Sequence, residues 1–148
     1  MRIYMDVCCL NRPFDDASQD RIFFEAEAVL AILSRCKNGE WQLVSSGVID
    51  SELSKSSDED KLEKVLELYS TANERLLLDT KTEQRAKFFQ KCGMQPFDSL
   101  HLALAETYAV DVFLTTDDKL LRMTTTVELN IRVANPAIWL VEALQNEY

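Results

Sequence analysis

Residues 1–16, "MRIYMDVCCLNRPFDD", decide how the chain is to be read. Ile3, Tyr4 and Met5, then Val7, Cys8, Cys9 and Leu10, make a short apolar run that ends at Asn11-Arg12-Pro13. The run predicts a buried strand over residues 2–9, and Asp6 interrupts it. A strand interior is a poor place for Asp, and an ionised carboxylate is costly in a buried strand unless something compensates its charge. Asp6 therefore needs a purpose.

Outward from this strand, apolar runs and helical stripes alternate. Ile22, Phe23, Ala26, Val29, Leu30 and Leu33 repeat at helical spacing and predict a helix over 19–37, ended by Asn38-Gly39. Trp41 to Ser45 reads as a second strand, and Ser46 or Gly47 starts a short helix carrying Val48, Ile49, Glu52 and Leu53. After a polar loop, Leu62, Val65, Leu66 and Tyr69 form one stripe of a helix over 58–72. Leu76 to Leu78 reads as a brief strand, and Thr80 or Thr82 caps a helix that Gly93 stops. Pro96-Phe97-Asp98 opens the next helix, Val110 to Leu114 is a buried strand, and Asp117 and Asp118 start a short helix. Ile131 to Val133 is the last strand, before a C-terminal helix opened by Pro136. Strands separated by helices predict an α/β fold: a mainly parallel central sheet covered by helices on both faces. No repeat, linker or low-complexity segment interrupts residues 1–148, so one domain is expected.

Composition narrows the function. Hydrophobic residues at 47% and charged residues at 28% suit a soluble globular chain. No apolar run approaches the ~18 residues of a membrane span, and Asp6 breaks any signal-like segment, so a cytoplasmic protein without membrane partners is expected. Cys8, Cys9, Cys36 and Cys92 form no Cys-x-x-Cys pair and His101 is the only histidine, which favours reduced thiols over a zinc site. The net charge of −9 argues against nonspecific binding to phosphate backbones. It does not exclude a nucleic-acid enzyme whose carboxylates hold cations.

The acidic residues carry the chemistry. In open parallel sheets ligands gather beyond the carboxyl ends of the strands. Asp6 lies toward the end of the first strand, Asp117 follows the strand "VFLTT", Glu52 lies on the helix after the second strand, and Asp98 begins a helix beside the sheet. Taken singly, Asp98 and Asp117 read as helix caps and Glu52 as a solvated helix face. Converging on one edge, the four repel one another and require a cation or protons. Hard oxygen ligands without a Cys/His set point to Mg²⁺ or Mn²⁺.

These residues sit in four segments, "IYMDVCCLNRP", "SSGVIDSEL", "PFDSLHLALAE" and "FLTTDDKLL". In order and spacing they resemble the PIN-domain family, and within it the VapC-like toxins. The resemblance implies an α/β/α sandwich and Mg²⁺- or Mn²⁺-dependent hydrolysis of RNA phosphodiester bonds. It assigns the catalytic and metal-binding roles to Asp6, Glu52, Asp98 and Asp117, and it implies a homodimer, an antitoxin partner and a toxin–antitoxin role. Many family members have Ser, Thr or Asn where this chain has Cys8, and a thiol is a poor replacement as a hydrogen-bonding group. That departure leaves open a catalytically weak PIN-like module that binds RNA or protein.

Asn11 is the candidate to supply the lost amide, Thr115 shares a strand face with Asp117, and Arg12 and Lys119 lie near enough to the motifs to hold phosphates. Attack by water would leave 5′-phosphate and 3′-hydroxyl ends. A Rossmann domain is excluded, since Gly39, Gly47 and Gly93 are the only glycines and form no G-x-G-x-x-G. A phosphorylatable receiver fits poorly, because Asp6 has no adjacent acid and Lys119 follows Asp117 too closely.

Overall fold

In the computed structural model, which describes residues 1–147, five strands form one parallel sheet. They are β1 (Arg2–Met5), β2 (Gln42–Ser46), β3 (Glu74–Leu76), β4 (Val112–Leu114) and β5 (Arg132–Ala134), in the order β3-β2-β1-β4-β5. The helices are α1 (Val7–Asn11), α2 (Asp20–Lys37), α3 (Gly47–Leu53), α4 (Glu59–Tyr69), α5 (Thr80–Lys91), α6 (Pro96–Thr107), α7 (Asp118–Thr124) and α8 (Pro136–Gln145). A 3-10 turn, Arg12–Phe14, joins α1 to the loop before α2. Consecutive residues of β1 and β4 are buried although they point to opposite faces, so helices cover the sheet on both sides. The expected α/β/α arrangement is the observed one, and every strand pair is parallel. Helix α2 packs on α8 and β2, and α6 packs on α5, α3 and β4. Among the described residues no helix is long and apolar enough to cross a membrane.

Three local expectations are corrected. The first strand stops at Met5, not residue 9, and Val7–Asn11 is helical. Asp6 is the reason: in extended backbone it accepts the Val7 N–H on its own side chain and so starts α1. Cys8 and Cys9 therefore ride on a helix rather than alternating across a strand. The third strand lies two residues earlier than expected, at Glu74–Leu76, because the Arg2 guanidinium forks onto Glu74 at 2.9 and 2.7 Å and holds this edge against the sheet. Leu77 and Leu78, expected in that strand, are exposed. Asp79, not Thr80 or Thr82, caps α5, accepting the Thr82 N–H at 2.8 Å. Gly93 ends that segment at φ +103°, a conformation open to glycine. On α4, Val65 and Tyr69 enter the core while Leu66 faces outward.

Candidate functional site

The chain leaves β1 toward β2 and β3 on one side and later fills β4 and β5 on the other, so strand order reverses at β1. Such a reversal opens a crevice beyond the strand ends. Asp6 stands at its floor, its N–H donating to Leu114 O at 2.9 Å and the residue only 4% exposed. Its Oδ2 accepts the Thr115 hydroxyl at 2.8 Å and the Cys8 thiol at 3.4 Å. The same Thr115 hydroxyl oxygen accepts the Asp117 N–H at 3.1 Å, tying the first acid to the fourth. Asp117 is exposed and caps α7, with Oδ1 accepting the N–H groups of Lys119 and Leu120.

Glu52 arrives on α3, started by the Ser46 side chain, and Asp98 on the first turn of α6, the helix on which α3 packs. Burial pushes the Asp6 carboxyl well above its ordinary value; the Cys8 sulfur and Asp98 add to the push, and His101 and Thr115 oppose it. Burial also raises half-buried Asp98, with repulsion from Asp117 and Glu52 in support and His101 and Lys119 against it. Among the described residues no lysine or arginine is ion-paired to Asp6, Glu52, Asp98 or Asp117.

The tightest grouping includes a residue the sequence reading left out. His101 is fully buried; its Nε2 lies 2.7 Å from Glu52 Oε1 and its Nδ1 2.6 Å from the Tyr4 hydroxyl. Donor atoms of Asp6, Glu52 and His101 all lie within 4.8 Å of one another. Asp98 and Asp117 are not part of that trio and act on the site from beside it. The missed signal is the spacing: His101 follows Asp98 by three residues and so shares its helix face. Carboxylate oxygens with one imidazole nitrogen are a donor set that fits a divalent cation.

The other candidates separate by what they touch. Asn11 lines a cleft of about 390 Å³ with Glu52, Lys55 and Phe97. Lys119 is exposed and close enough to favour ionised Asp98. Thr115 is fully buried, its hydroxyl engaged between Asp6 and Asp117. Arg12 is engaged as well, its Nε donating to buried Glu25 at 2.9 Å and its Nη1 to Asp15 at 3.1 Å. A hydrogen bond with Cys9 pulls the Cys8 thiol down to about 6 against the effect of burial, and Thr115 and Thr116 reinforce it.

Comparison with known proteins adds the family and the fold. The PIN domain family model matches residues 13–125, a span that holds Glu52, Asp98 and Asp117 and begins after Asp6. Among solved structures the chain is similar to VapBC2 from Rickettsia felis, solved bound to a DNA fragment from its promoter. The identity is 14% and the TM-score 0.59, covering 91% of this chain and 98% of that one. It is also similar to FitAcB from Neisseria gonorrhoeae, at 14% identity and TM-score 0.56, covering 90% of this chain and 97% of that one. At these identities the likeness is one of fold. No curated protein sequence matches the chain.

Proposed function

The chain belongs to the PIN-domain family, and from that premise we propose that residues 1–148 are one nuclease domain: a divalent-metal-dependent endoribonuclease acting as the toxin of a toxin–antitoxin pair. The observation that carries this reading is the site itself. A buried carboxylate, Asp6, lies within 4.8 Å of the Glu52 and His101 donor atoms and beside Asp98, with no Lys or Arg among the described residues ion-paired to it. Such a cluster is costly as bare protein and becomes favourable around a cation.

Asp6, Glu52, Asp98 and Asp117 would hold Mg²⁺ or Mn²⁺, which when bound supplies charge neutralisation at phosphate and acidifies water. The protein's part is placement. The Val7 N–H and Thr115 hydroxyl fix the two Asp6 oxygens, and His101 Nε2 lies 2.7 Å from Glu52 Oε1. Asp98, raised by burial, is suited to take a proton from an attacking water at its carboxylate. Lys119, whose charge favours ionised Asp98, would meet phosphate.

The likeness to VapBC2 supports a small antitoxin that covers the crevice. The exposed side chains of Phe24 on α2 and of Ile138 and Val141 on α8, two helices packed together, support a homodimer. Light scattering at micromolar concentration reads the dimer, and a monomer counts against it. The activity is tested on a panel of structured RNAs with EDTA, Mg²⁺ or Mn²⁺. Cleavage only with the metals supports the enzyme; RNA bound but uncut in every condition supports the weak binding module that Cys8 suggests.

A further inference from the structure

We propose that His101 is itself a metal ligand, and that the site therefore selects a first-row transition ion such as Mn²⁺ over Mg²⁺. The inference rests on reading this crevice as a divalent-metal centre and deepens it.

Three observations carry it. The first is position. The imidazole is fully buried, yet its Nε2 faces the crevice carboxylates, 2.7 Å from Glu52 Oε1 and within the 4.8 Å grouping that includes Asp6. The second is support behind the ring. Nδ1 lies 2.6 Å from the Tyr4 hydroxyl, which lies 2.9 Å from Ser46 Oγ. A ligating histidine typically passes its other N–H to such an oxygen, which fixes the tautomer and aims the free lone pair at the ion. In the ligating tautomer Nδ1–H would donate to the Tyr4 hydroxyl, and the proton that Nε2 shares with Glu52 in the metal-free site would give way to the ion. The third is rigidity: the ring lies between Phe97, 6.3 Å away and nearly parallel, and Tyr4, 5.5 Å away and edge-on. A ring held in this way needs little reorganisation to bind. The chemistry then sets the preference. Mg²⁺ favours carboxylate and water oxygens, whereas an imidazole nitrogen strengthens binding of the later ions.

His101 is the only histidine, which makes the test specific. Tag-free protein carrying ¹⁵N-histidine is loaded with Mn²⁺ and studied by pulsed electron paramagnetic resonance, beside unlabelled protein. The expected result is a directly coordinated ¹⁴N signal that becomes ¹⁵N on labelling. In parallel, calorimetry compares Mg²⁺ and Mn²⁺ affinity in wild type and His101→Gln. Mn²⁺ affinity is expected to fall by about tenfold or more, at least the loss that removing a ligand's supporting partner causes, while Mg²⁺ affinity changes much less, and that difference is the mark of a ligand. Absence of nitrogen coupling in wild type overturns the proposal whether or not the variant folds. An equal loss of both ions in a folded variant also overturns it and leaves His101 as a support for Glu52. Nitrogen coupling in a protein that cuts no RNA leaves this inference standing and removes the nuclease reading. Metal-dependent cleavage without nitrogen coupling does the reverse.

Discussion

Asp6 and Asp98 are acids held where charge is unfavourable, and that gives each substitution a signature. Asp6→Asn keeps an acceptor for the Val7 N–H that starts α1, and Asp98→Asn removes repulsion with Asp117 and Glu52. Each is expected to lower RNA cleavage by about a hundredfold or more, the scale of one preorganised electrostatic group. Each should leave apo stability unchanged or raised. Near-wild-type activity in either purified variant would remove that residue from the site. The pH dependence of Asp98 follows from its shift. Its folded value lies above the ordinary 3.8, so between the two the folded state holds a proton the unfolded chain has released. Its ionised form thus destabilises the apo fold as pH rises through that window. In EDTA, Asp98→Asn should melt above wild type at neutral pH, and the gap should close toward pH 3.8. A gap of opposite sign would mean that a favourable contact of the Asp98 carboxylate had been lost.

Caps and ion pairs that place the elements separate structural from chemical roles. Asp117 caps α7 through Oδ1, so Asp117→Ala is expected to cost about 1 kcal/mol of stability. Asp117→Asn should retain most of that stability and still lose activity, as read by paired melts and cleavage rates. Arg12 and Lys119 should divide the other way. Arg12→Ala leaves buried Glu25 with one arginine, Arg21, and is expected to destabilise by about 3 kcal/mol or less with RNA affinity unchanged. Lys119→Ala should weaken RNA binding with the melting temperature unchanged. Much of this framework was legible in the chain, because buried parallel strands are apolar runs and the covering helices are apolar stripes. The end of β1 was not, since Val7 to Leu10 is equally apolar as strand or helix and the Asp6 cap decides between them. Nor was β3, whose Glu74 and Arg75 are polar because the strand lies at an edge. The sequence shows only that His101 shares a helix face with Asp98; its link to Glu52 depends on α3 packing against α6.

The whole molecule is acidic, with a net charge of −9, so long-range attraction to RNA is weak. With few phosphate contacts, log affinity should fall by about 0.9 or less per contact as log salt rises. A steep slope in a salt titration at fixed Mg²⁺ would place RNA on a basic surface instead. An ion bound only to the folded state adds about 2.7 kcal/mol at a hundred times its dissociation constant. Wild type should therefore melt higher with Mg²⁺ or Mn²⁺ than with EDTA, and Asp6→Asn should respond less. The central claim, water-driven phosphodiester hydrolysis at this carboxylate site, is tested most directly by the ends of the RNA fragments. Wild type and Asp6→Asn are incubated side by side with RNA and Mn²⁺, and the termini are mapped. The account predicts 5′-phosphate and 3′-hydroxyl ends from wild type and intact RNA from the variant. Cyclic 2′,3′-phosphate ends, or equal cleavage by both proteins, would contradict it.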